Sequence, residues 1–285
     1  MNNEQISLAV ARAIERVEAD MMIDLTRVTP DNVRGPDYIR ARRIGGAHAF
    51  LSEQIDWGLY NRVLGLGLEE RATEAAVDAI KDLYRQTWML FAVQLSPLAQ
   101  PAMLPHWLEA RQILREDDHP WVKFYRDVSP PPAVTTDFRI EQVSPGDQAF
   151  TWAATTNVAC YLHGATTYWL SCTVDRPGWH QYLAYEGEDP VACGALYIQH
   201  GVGWLGFDGT FRSRRRRGAQ RAIIARRISD AAALGCSLLT VETLEDRPER
   251  SNPSYRNMLW AGFKVAYVRP NYRFTGEIER TRPSY

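Results

Sequence analysis

The chain has 285 residues, 45% of them apolar and 24% charged, with a formal net charge of −1. That length leads to an expectation of two domains, and the composition is that of a chain able to bury real cores. The near-zero net charge excludes a protein-wide field drawing the chain to nucleic acid or an anionic membrane, and no apolar run approaches the roughly 20 residues that span a bilayer.

The stretch from Met1 to Glu18 interrupts its apolar pattern with Glu4, Arg12, Glu15 and Arg16. A secretory signal has no such interruptions, so a cytoplasmic location is expected. Cys160, Cys172, Cys193 and Cys236 form no CxxC pair; buried free thiols are expected rather than a metal site.

In chain order, Ile6, Val10, Ile14 and Val17 predict an amphipathic helix over 4–19. Residues 38–55 read as extended chain interrupted by Gly45-Gly46, and 61–68 as a strand. A helix is predicted over 73–85, a strand over 88–95, a short helix over 101–111 and a half-buried strand over 121–126. Ser129-Pro130-Pro131-Pro132 follows. Consecutive prolines continue neither a helix nor a central strand, so the boundary is placed there, giving domains 1–132 and 133–285. Beyond it come a strand over 138–143, a helix over 147–161, and three antiparallel strands over 182–185, 191–200 and 202–207. A helix over 218–234 ends at Gly235, a strand covers 238–243, and a short helix over 253–261 starts at Asn252-Pro253 and stops at Gly262. A strand region over 263–274 is the last element.

The halves echo each other as strand, long helix, strand, short helix, strand, a weak internal repeat. Trp107 and Trp260 sit near the ends of the short helices, and Tyr125-Arg126 and Tyr272-Arg273 in the final strands. Between first strand and long helix they differ: Glu69-Glu70-Arg71-Ala72 in one, Arg214 to Gly218 in the other.

That second junction, Trp204 to Ile224, is where chemistry is expected. A strand enters a loop, and the loop enters a helix beginning Gly218-Ala219-Gln220. The first NH groups of a helix lack internal partners and its dipole is positive there, so four arginines carry the wrong charge for an isolated helix. A bound anion reverses that balance, and a pyrophosphate fits, with Gly218 letting the backbone approach it. A solvated arginine run or a nucleic-acid patch is the competing reading.

The segment resembles the acyl-CoA-binding motif of the GNAT superfamily, Gln/Arg-x-x-Gly-x-Gly/Ala, with Arg215 first and Gly218 fourth. The likeness continues through Leu238 to Thr243 and the Ala261-Gly262-Phe263 ending, over roughly residues 136–274. It implies an α+β fold, a mixed and mostly antiparallel sheet flanked by helices, in two similar domains, the first a degenerate GNAT-like domain without the phosphate loop. It implies acetyl-CoA as cofactor, held by Arg215, Arg216, Arg217, Gly218, Ala219 and Gln220, with Asp208, Gly209 and Thr210 offering a strand edge to the pantetheine arm. Asn252 is a helix cap first and a cofactor neighbour second.

The implied reaction moves an acetyl group to a primary amine of a small molecule or peptide. The amine must first lose a proton; Glu242 is the first candidate base and Asp208 the second. Two positions depart from the family pattern. Gln220 stands where glycine or alanine is usual, and Met258 where a tyrosine protonates the departing thiolate. A thioether donates no proton, which leaves Ser254, Tyr255 or water. Trp152, Tyr161, Tyr168, Trp169, Trp179 and Trp204 read as core first and acceptor wall second. His163 and His180 read as surface or packing residues. The alternative reading is a non-catalytic acyl-CoA-binding module for sensing or assembly. Neither nucleic acid nor membrane is an expected partner, and a homodimer is left open.

Overall fold

A computed structural model describes residues 6–28, 39–52, 60–87, 89–162, 164 and 166–276. Expected element ends at 4–5, 38, 53–55 and Trp88, together with His163, lie outside the described residues. The described residues form two compact units: one holds the first helix up to Thr26 with the residues between Ile39 and Trp121 and between Tyr267 and Gly276, and the other holds Arg27, Val28 and the residues between Val122 and Ala266. The division passes through two strands, Ile113–Arg126 and Lys264–Phe274, and the prolines expected to separate domains lie within the second unit.

In the first unit, α1 (Leu8–Arg27) extends two turns beyond the expected helix, because Met21, Met22 and Leu25 prolong the buried stripe begun by Ala11 and Ile14. Gly45 and Gly46, with φ 51° and 77°, turn the expected extended segment into a hairpin of β1 (Ile39–Ile44) and β2 (Ala47–Ser52). Then come β3 (Arg62–Leu64), α2 (Glu74–Arg85), β4 (Ala92–Gln94), α3 (Leu104–Glu109) and the start of β5 (Ile113–Arg126). Strands β3 and β4 run parallel, and the far end of the last strand, β11 (Lys264–Phe274), pairs antiparallel with β4. Val63, Val77, Ile80, Tyr84, Val93 and Leu104 form the core. A charged cluster is also buried there: Arg269 donates to Glu15 at 2.7 Å and to Glu18 at 2.9 Å.

The second unit continues from β5 through β6 (Arg139–Gln142), α4 (Asp147–Ala159), α5 (Thr166–Ser171), β7 (Trp179–Glu186), β8 (Asp189–Gln199) and β9 (Val202–Thr210). A 3₁₀ turn (Arg212–Arg214), α6 (Ala219–Ala233), β10 (Leu238–Leu244) and α7 (Pro253–Trp260) follow. The strand order is β5-β10-β9-β8-β7-β6. The pairs from β6 to β9 are antiparallel and β9–β10 is parallel. Side-chain alternation sends Leu196, Leu205, Leu239 and Val241 into one core with Ile223, Ile224 and Ile228 of α6 and Met258 of α7. The opposite face carries α4, whose buried Trp152 donates its indole NH to the Gly194 carbonyl at 3.3 Å. The mixed, mostly antiparallel α+β architecture is the one expected; α5 is an element the sequence pattern did not signal.

Candidate functional site

Parallel pairing of β9 with β10 runs from Val202–Leu238 to Leu205–Val241 and stops, although β9 continues to Thr210 and β10 to Leu244. The two strands part at that point. On its other side, β9 slips one position against β8: Gly206 faces Ala195, but Gly209 faces Cys193. Phe207 takes up the extra residue with φ 55°, which is uncommon for a bulky side chain and marks a β-bulge. The backbone of Asp208, Gly209 and Thr210 therefore lies on the edge of β9 turned to the gap.

Asp208 is placed by side chains reaching from α6. Arg227, fully buried, donates to both carboxylate oxygens of Asp208 and to the Ala195 carbonyl at 2.7 Å. Gln220 donates its amide NH to Asp208 and accepts from the Thr210 hydroxyl at 3.1 Å. Burial pushes the Asp208 carboxyl above its usual range, while the Arg227 guanidinium and the Gln220 amide pull it back. Gln220 thus ties the end of β9 to the first turn of α6, and its side chain is turned to the sheet.

The loop between them is held from outside. Arg214 and Arg217 both pair with Glu186 at the β7–β8 turn, holding the Glu186 carboxyl below its usual range. Arg217 also lies over the Phe138 ring at 4.7 Å, and Arg215 donates to the Thr210 carbonyl at 3.1 Å. Arg216 and Gly218 adopt φ 66° and 90°. Gly218 is the N-cap of α6 and supplies no capping side chain, so the NH groups of Ala219, Gln220 and Arg221 have no intrahelical acceptor. Successive NH groups beside left-handed residues at a helix start form an anion-binding concavity.

The equivalent junction in the first unit is filled by the chain itself. There the parallel pair is β3–β4, and the Thr73 hydroxyl caps α2 by accepting from the Ala76 NH at 3.2 Å. The Ala72 NH donates to the Gln100 carbonyl at 2.8 Å, and the Gln100 NH donates to Gly67 at 2.7 Å. A Cβ on Gly67 would stand 2.6 Å from the Gln100 carbonyl oxygen.

Glu242 lies on β10 just past the parting and pairs with Lys123 of β5 at 3.1 Å, a lysine with no exposed side-chain surface. Asn252 caps α7, accepting from the Ser254 NH at 3.0 Å, and its amide donates to the Leu244 carbonyl, fastening the helix to β10. Ser254 and Tyr255 open that helix; the Tyr255 ring meets Phe124 edge-on at 5.0 Å, and burial raises its hydroxyl above the usual tyrosine range. Met258 is buried in the core. Trp152, Trp169, Trp179 and Trp204 are buried, whereas Tyr161 and Tyr168 are exposed. Sequence reasoning missed Arg227, Lys123 and Glu186. Only the Phe207-Asp208-Gly209 step carried a local signal, since glycine inside a strand marks a bulge or a close backbone approach.

No family model matches the sequence, and no curated protein matches it. Solved structures do match by shape. A GCN5-related N-acetyltransferase from Kribbella flavida is 16% identical with TM-score 0.65, covering 96% of this chain and 97% of that one. One from Sphaerobacter thermophilus is 15% identical with TM-score 0.60, over 96% and 94%. A tandem GNAT protein from the clavulanic acid biosynthesis pathway is 14% identical with TM-score 0.57, over 93% and 96%. The chain has the GNAT fold across nearly its whole length.

Proposed function

We propose that this chain is an N-acyltransferase that takes an acetyl group from acetyl-CoA and gives it to a primary amine. The observation that carries the reading is the uncapped start of α6 at Gly218, set beside the free edge of β9 where it parts from β10. A pyrophosphate fits the first, through the NH groups of Ala219, Gln220 and Arg221 with Arg215 and Arg216 alongside. An extended amide-bearing arm fits the second, against the backbone of Asp208 to Thr210. The filled junction in the first unit supports one cofactor per chain and a first domain that is a degenerate copy.

Acetyl-CoA supplies an electrophilic thioester carbonyl. Glu242 takes the proton that the incoming ammonium must lose, with Lys123 fixing its carboxylate; Asp208, tied to Arg227 and Gln220, positions the bulge. The amine nitrogen bonds to the acyl carbon, the carbon–sulfur bond breaks, and the thiolate takes a proton. Tyr255 on α7 is the donor: a phenol carries its proton at neutral pH, and burial raises this one above the usual tyrosine range. Arg214 and Arg217 are both paired with Glu186, which argues against a nucleic-acid patch. The second reading, an acyl-CoA-binding module without turnover, is favoured by one observation, the buried Met258 in place of the family's tyrosine.

Thiol release over a panel of amines tests the choice. Glu242→Gln is expected to lower kcat by about 10²–10⁴-fold, the usual worth of a general base, while acetyl-CoA still binds. Cofactor binding with no turnover of any amine by the unaltered chain would establish the second reading instead.

A further inference from the structure

Two stacks of a guanidinium on an aromatic ring flank the start of α6. Arg217, just before the helix, lies over Phe138 at 4.7 Å, and Arg221, in its first turn, lies over Trp260 of α7 at 4.7 Å. The two are not equivalent. Arg217 is also paired with Glu186, and Phe138 is buried. Arg221 is exposed, Trp260 is half-buried, and Arg221 Nε donates to the side-chain oxygen of Asn257, also on α7, at 3.2 Å.

The charge of Arg221 serves no partner within the fold. Of the other arginines on α6, Arg226 pairs with Asp230 and Arg227 with Asp208. Arg221 makes no ion pair among the described residues, and a cation in the first turn opposes the helix dipole. Asn257 is neutral and takes one of the five NH donors that a guanidinium offers. A planar cation is therefore fixed against an indole at the surface, with donors left over.

Its place says what it is for. Helices α6 and α7 pack into one core on the same side of the sheet, and Arg221 bridges them. Its backbone NH is one of the three assigned above to the pyrophosphate, so its guanidinium stands about one side-chain length from the phosphates, on the side of α7. Beyond its pyrophosphate, CoA carries a ribose 3′-phosphate and an adenine. A guanidinium suits both, because its NH groups hold a phosphate and its face stacks on a base.

Resting on the acyl-CoA reading above, we propose that Arg221, backed by Trp260 and fixed by Asn257, seats the 3′-phosphoadenosine end of the donor. It thereby makes the chain selective for CoA thioesters over acyl-phosphopantetheine, the same arm without its nucleotide. Arg221 touches no reacting atom; it is a specificity residue for the donor.

Isothermal calorimetry on the full chain with acetyl-CoA and with S-acetyl-4′-phosphopantetheine tests this. The expected result is a Kd at least about tenfold lower for acetyl-CoA, the worth of one stacked base. Arg221→Met is expected to raise the Kd of acetyl-CoA by about tenfold and to leave that of acetyl-phosphopantetheine unchanged. Trp260→Leu removes the backing ring and is expected to move the same ligand in the same direction. Arg221→Lys keeps the charge without the plane and is expected to recover only part of the loss. Equal affinity for the two donors in the unaltered chain, an unmoved acetyl-CoA Kd or an equal loss for both donors in Arg221→Met, or full acetyl-CoA affinity in Arg221→Lys, would overturn the adenine seat and leave the pyrophosphate site standing. Absence of binding of either donor by the unaltered chain would instead remove the acyl-CoA reading on which it rests.

Discussion

Arg227 reads in the sequence as one more charge on an arginine-rich helix, between Arg226 and Asp230. In the fold it is fully buried and fastens α6 to the bulge through Asp208 and two strand carbonyls. Removing one partner of such a pair strands the other charge in the interior, which costs about 3–5 kcal/mol, whereas removing both costs far less. Arg227→Met is therefore expected to lower unfolding free energy in urea by about that amount, and adding Asp208→Asn to restore most of it. Equal destabilisation of the single and double variants would show that the pair is not coupled. Lys123 and Glu242 were equally hard to see as partners: 119 residues separate them, and only the β5–β10 adjacency brings them together. Glu242 was readable as a carboxylate on a strand; its counter-ion was not.

At the scale of elements, the contrast between the two strand–loop–helix junctions was legible, because it lies in local chemistry. The sequence set Glu69-Glu70-Arg71-Ala72 against Arg214 to Gly218, while the Thr73 cap and the place of Gly218 as N-cap come from the structure. The Thr73 hydroxyl caps the start of α2, whereas Gly218 brings no capping side chain to the start of α6. Thr73→Ala is expected to cost about 1 kcal/mol, seen as an earlier urea transition, and to leave acetyl-CoA affinity unaltered; a fall in affinity would place a cofactor contact in the first unit. The meander of β7 to β9 was also legible, from alternating apolar residues between turns at Gly187 and Gly201. Element lengths were not. Strand β5 spans 14 residues where only its last six read as strand, since Ile113 to Pro120 carries charged side chains that the apolar pattern hides.

For the whole molecule, the sequence separated two halves at the prolines, while the compact units trade chain inside β5 and β11. That exchange depends on which strands become neighbours, and composition does not encode it. The fold also sets a dependence on pH. His48 in the first unit and His180 in the second are both held below the usual histidine value, chiefly by burial. The unfolded chain then binds more protons, so the stability these groups contribute is complete above about pH 6.5 and is lost as pH falls through their folded values. The thermal midpoint is expected to drop between about pH 7 and pH 5.5, and less so in the double variant His48→Gln/His180→Gln. An equal drop in that variant would assign the effect to other groups.

The central claim is that α6 begins an acyl-CoA site and that each chain has one. Isothermal calorimetry of acetyl-CoA against the unaltered chain and against Gly218→Glu tests it most directly. The substitution puts a side chain and a negative charge where the pyrophosphate is expected, at a φ of 90° that suits glycine. The account predicts one site per chain in the first titration and no measurable binding in the second. Equal affinity in the two titrations, or two sites per chain, would contradict it.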